Sequence, residues 1–454
     1  FSQYVQLFYD QGEAALTHKL MSVPDVGHSG CGMFQSAQFA AAALTRSTPN
    51  TQTVEAKAAK AAKAAGSAVQ TIPAPAALLL ASHRSRTKSV DYTYSCMPAS
   101  TSDLSACDDA DPLDGQRTNS GGHVLMGGST DVDAAFKWQI SKAGGGDFVV
   151  LRESGTDAYD EWIVGLAAQE VEEHGGLGLR SVSTLILNSR RAASDEFVLA
   201  KVRSAEAIFF AGGDQSNYVE RIAGTPLEPL LRTKSGAVTV GGTSAGNAIQ
   251  GWRIYTGIHG SSVSQEALQD PYERTMNGSI TGSLITYHGH GGTGSPLDSA
   301  RVIMDDHFVA RDRMGRMIVM TARIAADGLA DFPEGSREAG ADDAVASSVR
   351  AIGVDEKTAL LVDPDGTVTT VGNGTAYCCT VGVDSFSDMV CSPGQPLSLP
   401  KVECVRLAGA SFTQYDNPAA DAFDLGAWAP LDGTGVAYSF GIAEGEIVGN
   451  AYGP

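Results

Sequence analysis

The residues best suited to covalent catalysis lie in the segment 241–247, Gly-Gly-Thr-Ser-Ala-Gly-Asn, which directly follows the apolar run Ala-Val-Thr-Val at 237–240. A short strand, a Gly-x-Ser-x-Gly turn and a following helix form a nucleophile elbow, which exposes a serine hydroxyl above the backbone. That hydroxyl is a weak nucleophile and needs an adjacent base. The pattern predicts Ser244 as the nucleophile of a hydrolase. The alternative is a glycine-rich strand-to-helix turn that happens to contain serine.

A base and an orienting acid must accompany such a serine. Among nine histidines, His307 is the best placed, because it follows the apolar run 302–304 and should therefore lie on the same sheet edge as Ser244. Glu266 lies between the two in sequence, in the order serine, acid, histidine that accompanies an elbow. We predict a Ser244, Glu266, His307 triad. The alternative for Glu266 is an ordinary solvated glutamate.

Three arginines follow His307 closely, and guanidinium groups near a nucleophile can bind a carboxylate or a peptide backbone. Alternatively, they form a solvated basic face that pairs with neighbouring carboxylates. The arginines are Arg311, Arg313 and Arg316, and the carboxylates are Asp305, Asp306 and Asp312. A metal site built from His288, His290 and His307 together with Asp305 and Asp306 is a weaker interpretation, since His-x-His in a glycine-rich loop is unspecific. We expect neither a metal nor an organic cofactor.

The charge balance is acidic, with 52 Asp and Glu against 32 Lys and Arg and a formal net charge of −20. This balance argues against nucleic acid and anionic membrane surfaces as partners. No apolar run approaches the roughly 20 residues that span a bilayer. Beginning at Phe1 without an initiator Met, the sequence is compatible with a removed signal peptide.

The seven cysteines fall near the two ends of the sequence, and none lies between Cys107 and Cys378. Cys96 and Cys107 flank a polar loop that a disulfide could close, whereas the pairing of the C-terminal four stays open. This usage is typical of an oxidising compartment and predicts secretion. The sequons at Asn277 and Asn373 are compatible with glycosylation.

Short apolar runs alternate with helical patterns from about residue 121, which predicts a parallel sheet covered on both faces. Past about residue 349 the pattern turns to short strands, with a hairpin turn at 363–366. We therefore expect an N-terminal extension over 1–118, an α/β domain over 119–382 and a C-terminal β-rich region over 383–454.

Three separated segments together resemble cyanophycinase and its exopeptidase relatives, the S51 serine peptidases. They read FFAGGDQ at 209–215, GGTSAG at 241–246 and DDHFVARDRMGR at 305–316. The segments 264–272 and 352–360 are also similar to this family. The resemblance runs from about residue 121 to 382 and leaves out 1–118.

The resemblance implies a class I glutamine amidotransferase-like, doubly wound α/β fold. It implies Ser244 as nucleophile, His307 as general base and Glu266 as orienting acid, with the backbone N–H groups of Gly213 and Ala245 as oxyanion donors. It further implies a substrate pocket formed by Gln215, Asp305, Asp306, Arg311, Arg313 and Arg316. Cyanophycinases release β-aspartyl-arginine dipeptides, and related members are aspartyl dipeptidases. Asp306 is a departure, because cyanophycinases have Gln at that position.

These observations predict a secreted serine peptidase that hydrolyses aspartyl or β-aspartyl peptides through an acyl-enzyme. A secreted structural or binding protein on the same fold, assembled as a homo-oligomer or a larger complex, is the alternative. A lipase-type esterase fits the Gly-x-Ser-x-Gly pattern but not the arginine-rich segment.

Overall fold

The computed structural model describes residues 74–109, 111–117, 119–276, 280–282, 284, 295–327, 348–382, 388–431 and 433–454. The chain divides into two compact units, 1–66 and 67–454, and every described residue belongs to the second. Predictions that concern Asn277, His288 and His290 lie outside the described residues.

Nineteen strands are present in this part of the chain: β1 Ser85–Lys88, β2 Tyr92–Pro98, β3 Gly122–Met126, β4 Asp147–Arg152, β5 Ser181–Leu187, β6 Ala207–Phe210, β7 Thr239–Thr243, β8 Arg253–Tyr255, β9 Ile280–Gly282, β10 Val302–Asp305, β11 Ser348–Val354, β12 Thr358–Val362, β13 Thr367–Gly372, β14 Thr375–Gly382, β15 Leu399–Ala408, β16 Ala422–Asp424, β17 Ala429–Pro430, β18 Val436–Ala443 and β19 Glu446–Val448. The helices of the same residues are α1 Ala74–Ser82, α2 Asp133–Lys142, α3 Ala158–His174, α4 Glu196–Ser204, α5 Gln215–Ile222, α6 Leu227–Ser235, α7 Ala245–Ala248, α8 Ser264–Gln269, α9 Pro296–Ser299 and α10 Met314–Ala326, with a 3₁₀ turn at Arg190–Ser194.

A first sheet of eleven strands has the order β1-β2-β5-β4-β6-β7-β3-β12-β13-β16-β17. Its central strands β5, β4, β6, β7 and β3 run parallel. Val150 and Phe209 pack against helices α2 and α3 on one face, whereas Val149 and Ile208 pack against α4, α5 and α6 on the other. Because side chains alternate along a strand, a sheet covered on both faces needs apolar residues at nearly every position. The predicted α/β class with a parallel sheet is confirmed.

The strands β1 and β2 extend this sheet, although the sequence analysis placed them in an N-terminal extension. β2 pairs antiparallel with β5 over seven residues, from Tyr92 opposite Leu187 to Pro98 opposite Ser181. A disulfide joins Cys96 of β2 to Cys107 in the following loop, as the cysteine spacing indicated. This part of the chain therefore contributes to the core of the first sheet.

A second sheet of eight strands has the order β19-β18-β15-β14-β11-β10-β8-β9 and contains most of the C-terminal strands. β10 runs parallel to β8 and β11 in this second sheet. The expectation that β10 lies in the same sheet as β7 was therefore wrong. A three-residue apolar run does not indicate which strands lie beside it, which is why the sequence could not assign β10 to a sheet. Cys379 and Cys404 face each other across β14 and β15 and form a disulfide, whereas Cys378 and Cys391 form none.

The predicted hairpin around 363–366 is present between β12 and β13. Helix α10 begins only at Met314, because Asp312 has a positive φ of 48° and Arg313 caps the helix. None of the helices within the described ranges is long and apolar enough to cross a membrane.

Asp160 of α3 lies buried beneath the junction of β2 and β5. Its carboxylate accepts hydrogen bonds from the hydroxyls of Ser95 (2.5 Å) and Thr184 (2.6 Å). Burial raises the pKa of Asp160 to about 7, against the opposing effects of the Arg84 charge and the two hydroxyls. The folded state therefore holds this proton more tightly than the unfolded chain does.

We expect this carboxyl to reduce the free energy of unfolding as pH rises from about 4, its ordinary pKa, to about 7. Asp160→Asn should therefore gain stability relative to the wild type across this window, by up to about 4 kcal/mol at pH 8. Urea unfolding at pH 4.5, 6 and 8 measures the difference, with exposed Asp114→Asn as the control. A difference that does not change with pH would contradict the prediction.

Candidate active site

Ser244 lies between β7 and α7 in a strained backbone conformation, with φ 52° and ψ −117°. Two flanking glycines make this turn possible. A Cβ on Gly242 would lie 2.2 Å from the carbonyl oxygen of Gly246, and a Cβ on Gly246 would lie 2.0 Å from that of Phe210. The Gly-x-Ser-x-Gly pattern thus reflects close backbone packing around the turn that carries Ser244, as a nucleophile elbow requires.

His307 makes the hydrogen bond that a serine nucleophile needs, with its Nε2 2.8 Å from Ser244 Oγ. It follows β10 and is only 6% exposed. Its backbone has a positive φ of 45°, and its N–H donates to the Gly127 carbonyl (2.8 Å), just after β3 of the first sheet. The predicted pair therefore meets, but across two sheets.

Gly128 is a functional position that the sequence analysis missed. A Cβ there would lie 2.5 Å from both Cε1 and Nε2 of His307 and 3.1 Å from the Cβ of Ser244. Its φ of 102° is also one that other residues rarely adopt. The only sequence signal was a pair of glycines at the end of β3, which is common at strand ends.

Glu356, not Glu266, contacts the other ring nitrogen of His307, with Oε1 2.7 Å from Nδ1. The Glu266 carboxylate instead accepts the N–H of Val263 (3.1 Å) at the start of its own helix, α8. The predicted orienting acid is thus corrected. A helix-capping glutamate is held by the first turn of its helix and is not directed towards a distant imidazole.

The position of Glu356 follows from the chain path, because it lies in the link between β11 of the second sheet and β12 of the first. On either side of it, the N–H of Asp355 donates to Thr375 and that of Lys357 donates to Gly128, each at 3.0 Å. The link is thereby tied to both sheets. The resemblance already included this segment at 352–360, yet nothing in its residue types distinguished Glu356 as the acid.

The backbone N–H groups of Gly213 and Ala245 were predicted as oxyanion donors. Neither has a hydrogen-bond partner among the described residues, and Ala245 begins α7, where N–H groups lack partners within the helix. A Cβ on Gly212 would lie 3.6 Å from the Cβ of Ser244, so the turn that contains Gly213 runs beside the serine. Both groups are available to a negatively charged oxygen, and their role stays a prediction.

Two of the predicted substrate-binding arginines are occupied by buried carboxylates. The Arg316 guanidinium donates to both oxygens of Asp305, one at 2.9 Å, and Arg313 donates to the carboxylate and the carbonyl of Asp306, both at 2.8 Å. Burial raises the pKa of Asp306, but Arg313, His307 and Arg316 outweigh it and hold that pKa below its ordinary value. These pairs fix the loop that carries His307.

Arg311 and Gln215 remain accessible. Arg311 is exposed, and its guanidinium makes no hydrogen bond or ion pair with any residue that the structure describes. Gln215 is partly buried, and its amide donates to the Tyr255 carbonyl at 3.3 Å. Of the predicted pocket residues, these two are the ones whose side chains are not taken up by buried ion pairs.

The loop between β10 and α10 is also held from the C-terminal end of the chain. The hydroxyl of Tyr452 donates to the Asp312 carboxylate (3.1 Å), and the Ser264 hydroxyl donates to the Asp312 carbonyl (2.8 Å). Tyr452 also packs edge-on against Phe308, the residue after His307. These contacts between distant segments could not be read from the sequence.

Three carboxylates away from Ser244, those of Asp111, Asp147 and Glu206, approach one another closely enough to share a cation. Arg117 lies 2.9 Å from Asp111, and Arg180 lies 3.1 Å from Asp147. Burial raises the pKa of Glu206 to about 7, although its hydrogen bond from the Asp147 backbone opposes the shift. The neighbouring guanidinium groups already supply positive charge, so we interpret this cluster as an ion-pair network.

The chain is similar in sequence to several cyanophycinases. The cyanophycinase of Geminocystis herdmanii is 28% identical over 201 residues, covering 44% of this chain and 58% of that protein. The one from Trichormus variabilis is 26% identical over 200 residues, covering 44% and 53%. The chain thus spans little more than half the length of these relatives.

No protein-family model matches the chain. Among solved structures, a peptidase from an acI-B1 Actinobacterium aligns with 58% of this chain and 92% of its own, at 17% identity and a TM-score of 0.35. That TM-score is too low to support a conclusion. Over the part aligned with the curated relatives, the chain is similar to the cyanophycinases, and the resemblance predicted from its motifs is confirmed.

Proposed function

We propose that this protein is a serine-type exopeptidase that hydrolyses aspartyl or β-aspartyl peptides. The observation that carries the proposal is the continuous chain of hydrogen bonds from Ser244 through His307 to Glu356, at 2.8 and 2.7 Å. Serine, imidazole and carboxylate in this order form the arrangement by which serine hydrolases activate a hydroxyl. Similarity to cyanophycinases supports peptide bonds as the target.

In the proposed mechanism, the Nδ1–H of His307 donates to Glu356, which leaves Nε2 to accept the proton of Ser244 as its oxygen attacks the scissile carbonyl. The carbonyl oxygen becomes negatively charged, and the N–H groups of Gly213 and Ala245 stabilise it. His307 then gives the proton to the leaving amine. Water hydrolyses the resulting ester on Ser244 with the same base.

Arg311 is the proposed partner of a substrate carboxylate. Its guanidinium is exposed, lies in the loop that carries His307 and is not engaged by a described residue. A carboxylate on the substrate would form a charge-assisted hydrogen bond with it. This assignment narrows the pocket predicted from the sequence, because Arg313 and Arg316 already bind Asp306 and Asp305.

We also propose that the protein is secreted. The two disulfides, Cys96–Cys107 and Cys379–Cys404, support an oxidising compartment. Asn373 is exposed at the turn between β13 and β14, as glycosylation there would require.

The proposal is tested by incubating the protein with β-Asp-Arg and with α-Asp peptides, beside Ser244→Ala. We expect the wild type to release aspartyl products and the variant to lose at least about 10³-fold in kcat, because the nucleophile is removed. Mass spectrometry of the products measures both. Equal turnover by the two proteins would exclude Ser244 from the mechanism, and no cleavage by either would favour a structural or binding role.

The corrected acid is tested by comparing Glu356→Gln with Glu266→Gln. We expect Glu356→Gln to lower kcat by about 10³–10⁴-fold, because a neutral amide neither orients His307 nor stabilises the imidazolium. Glu266→Gln should stay within about 3-fold of the wild type, since its side-chain oxygen can still cap α8. The opposite result would restore Glu266 as the acid.

Gly128→Ala tests the packing around the imidazole. A methyl group 2.5 Å from Nε2 must displace His307, and we expect kcat/KM to fall by about 10²-fold, as for other small misplacements of a catalytic group. Gly165→Ala in α3 is the control, because a Cβ there meets nothing within 4 Å. Full activity in Gly128→Ala would mean that the His307 position shown here is not the reactive one.

A further inference from the structure

Glu153 is a buried carboxylate that the proposed mechanism does not use. It directly follows β4, is 6% exposed, and lies at the edge of the first sheet where β6 leads into the turn 212–214. A Cβ on Gly213 would lie 2.3 Å from its Oε1, so the carboxylate packs directly against this turn. This turn lies beside Ser244. Glu153 thus packs against the turn that contains Gly213, whose N–H is a proposed oxyanion donor.

Hydrogen bonds connect the Glu153 carboxylate to both sides of the turn. Oε1 accepts the N–H of Asp214 (3.3 Å) and the hydroxyl of Ser154 (2.5 Å), and Oε2 accepts the side-chain amide of Asn217 (3.0 Å). Asp214 also caps α5, which contains Asn217. One carboxylate therefore ties the turn to the end of β4 and to the first turn of α5.

The charge of Glu153 is balanced by Arg221 of helix α5, whose Nη1 lies 3.9 Å from Glu153 Oε2. That guanidinium also donates to the carbonyls of Leu187 (2.6 Å) and of Glu153 itself. Tyr218, one helical turn earlier, donates to the Ala211 carbonyl (2.8 Å). Without the carboxylate, the N–H of Asp214 and the Asn217 amide lose their acceptor, and only these outer contacts hold the turn.

We propose that Glu153 is a positioning residue whose carboxylate holds the turn 212–214 so that the Gly213 N–H faces the oxyanion formed at Ser244. The inference rests on the proposed function for its catalytic consequence, but the restraint on the turn is independent of the substrate. Because the oxyanion exists only in the transition state and the intermediate, a loosened turn should lower kcat and leave KM nearly unchanged.

The experiment compares Glu153→Ala and Glu153→Gln with Glu161→Ala, an exposed glutamate of α3 that makes no contact with the turn. Turnover is measured per active serine, after titration with a serine-reactive phosphonate, so that misfolded protein does not count as lost kcat. We expect kcat to fall by about 30–100-fold in Glu153→Ala and about 3–10-fold in Glu153→Gln, whose carbonyl still accepts the Asp214 N–H. KM should stay within about 3-fold, and Glu161→Ala should match the wild type.

Hydrogen exchange at the Asp214 amide gives a readout that needs no substrate. We expect the Asp214 amide to exchange at least about 10-fold faster in Glu153→Ala, because this amide has lost its acceptor. In the control variant Glu161→Ala, we expect the exchange rate of the wild type. Wild-type kcat per titrated serine, or unchanged Asp214 exchange, would overturn the proposal.

Failure of the proposed function is distinguishable from failure of this inference. If the wild type cleaves no aspartyl peptide but the phosphonate labels Ser244, the substrate proposal fails, and the labelling rate replaces kcat as the measure of the oxyanion site. A slower rate in Glu153→Ala, with faster Asp214 exchange, then still supports the role of Glu153. Equal labelling rates, or no labelling of the wild type, would overturn it.

Discussion

The hydrogen bond between Ser244 and His307 requires two β-sheets to meet at their carboxyl edges. Ser244 follows β7 of the first sheet, whereas His307 follows β10 of the second. A displacement of either sheet by about 1 Å would break a contact of 2.8 Å, and catalytic groups tolerate little misplacement. The other contacts around the site hold these two sheet edges at this distance.

The link between β11 and β12 makes the most direct connection. It crosses from one sheet to the other within three residues, and Glu356 lies in its middle. Its neighbours are hydrogen-bonded to β14 on one side and to the Gly127–Gly128 turn on the other. A carboxylate at this crossing can reach an imidazole held between the sheets. An acid on a peripheral helix such as α8 is bound to its own first turn, as Glu266 is.

Strained backbone and buried ion pairs occur in the same loop at the site. Ser244, His307 and Asp312 have positive φ values, and each such residue costs about 1–3 kcal/mol. Loss of one partner from a buried pair costs about 3–5 kcal/mol, because it leaves an unpaired charge in the interior. The pairs Asp305–Arg316 and Asp306–Arg313 act on the loop that contains two of the three. Their arginines are therefore part of the scaffold.

Local sequence patterns were sufficient to predict the strands β3 to β6, the turn that carries Ser244 and the base His307. The apolar runs at β3, β4, β5 and β6 were visible because buried parallel strands need continuous apolar residues. Ser244 and His307 were visible because few residue types supply a nucleophile and a base. The sheet to which β10 belongs, and with it the acid, depended on pairing between distant strands. The packing of Gly128 against His307 depended on a neighbour 179 positions later, so the pair of glycines at the end of β3 could not reveal it.

The charged side chains around His307 affect which substrate groups the proposed site would bind. Asp306 brings a carboxylate to 3.9 Å from Nε2, where the resemblance implies Gln, but Arg313 lies 2.8 Å from that carboxylate and compensates its charge. Asp305 is likewise paired with Arg316. Arg311 lies in the same loop, and its exposed guanidinium is not paired with any residue that the structure describes. In a chain with a net charge of −20, an unpaired positive charge in the loop that carries His307 would attract an acidic group that the rest of the surface repels. Under the proposed function, this charge would favour peptides with an acidic residue next to the scissile bond.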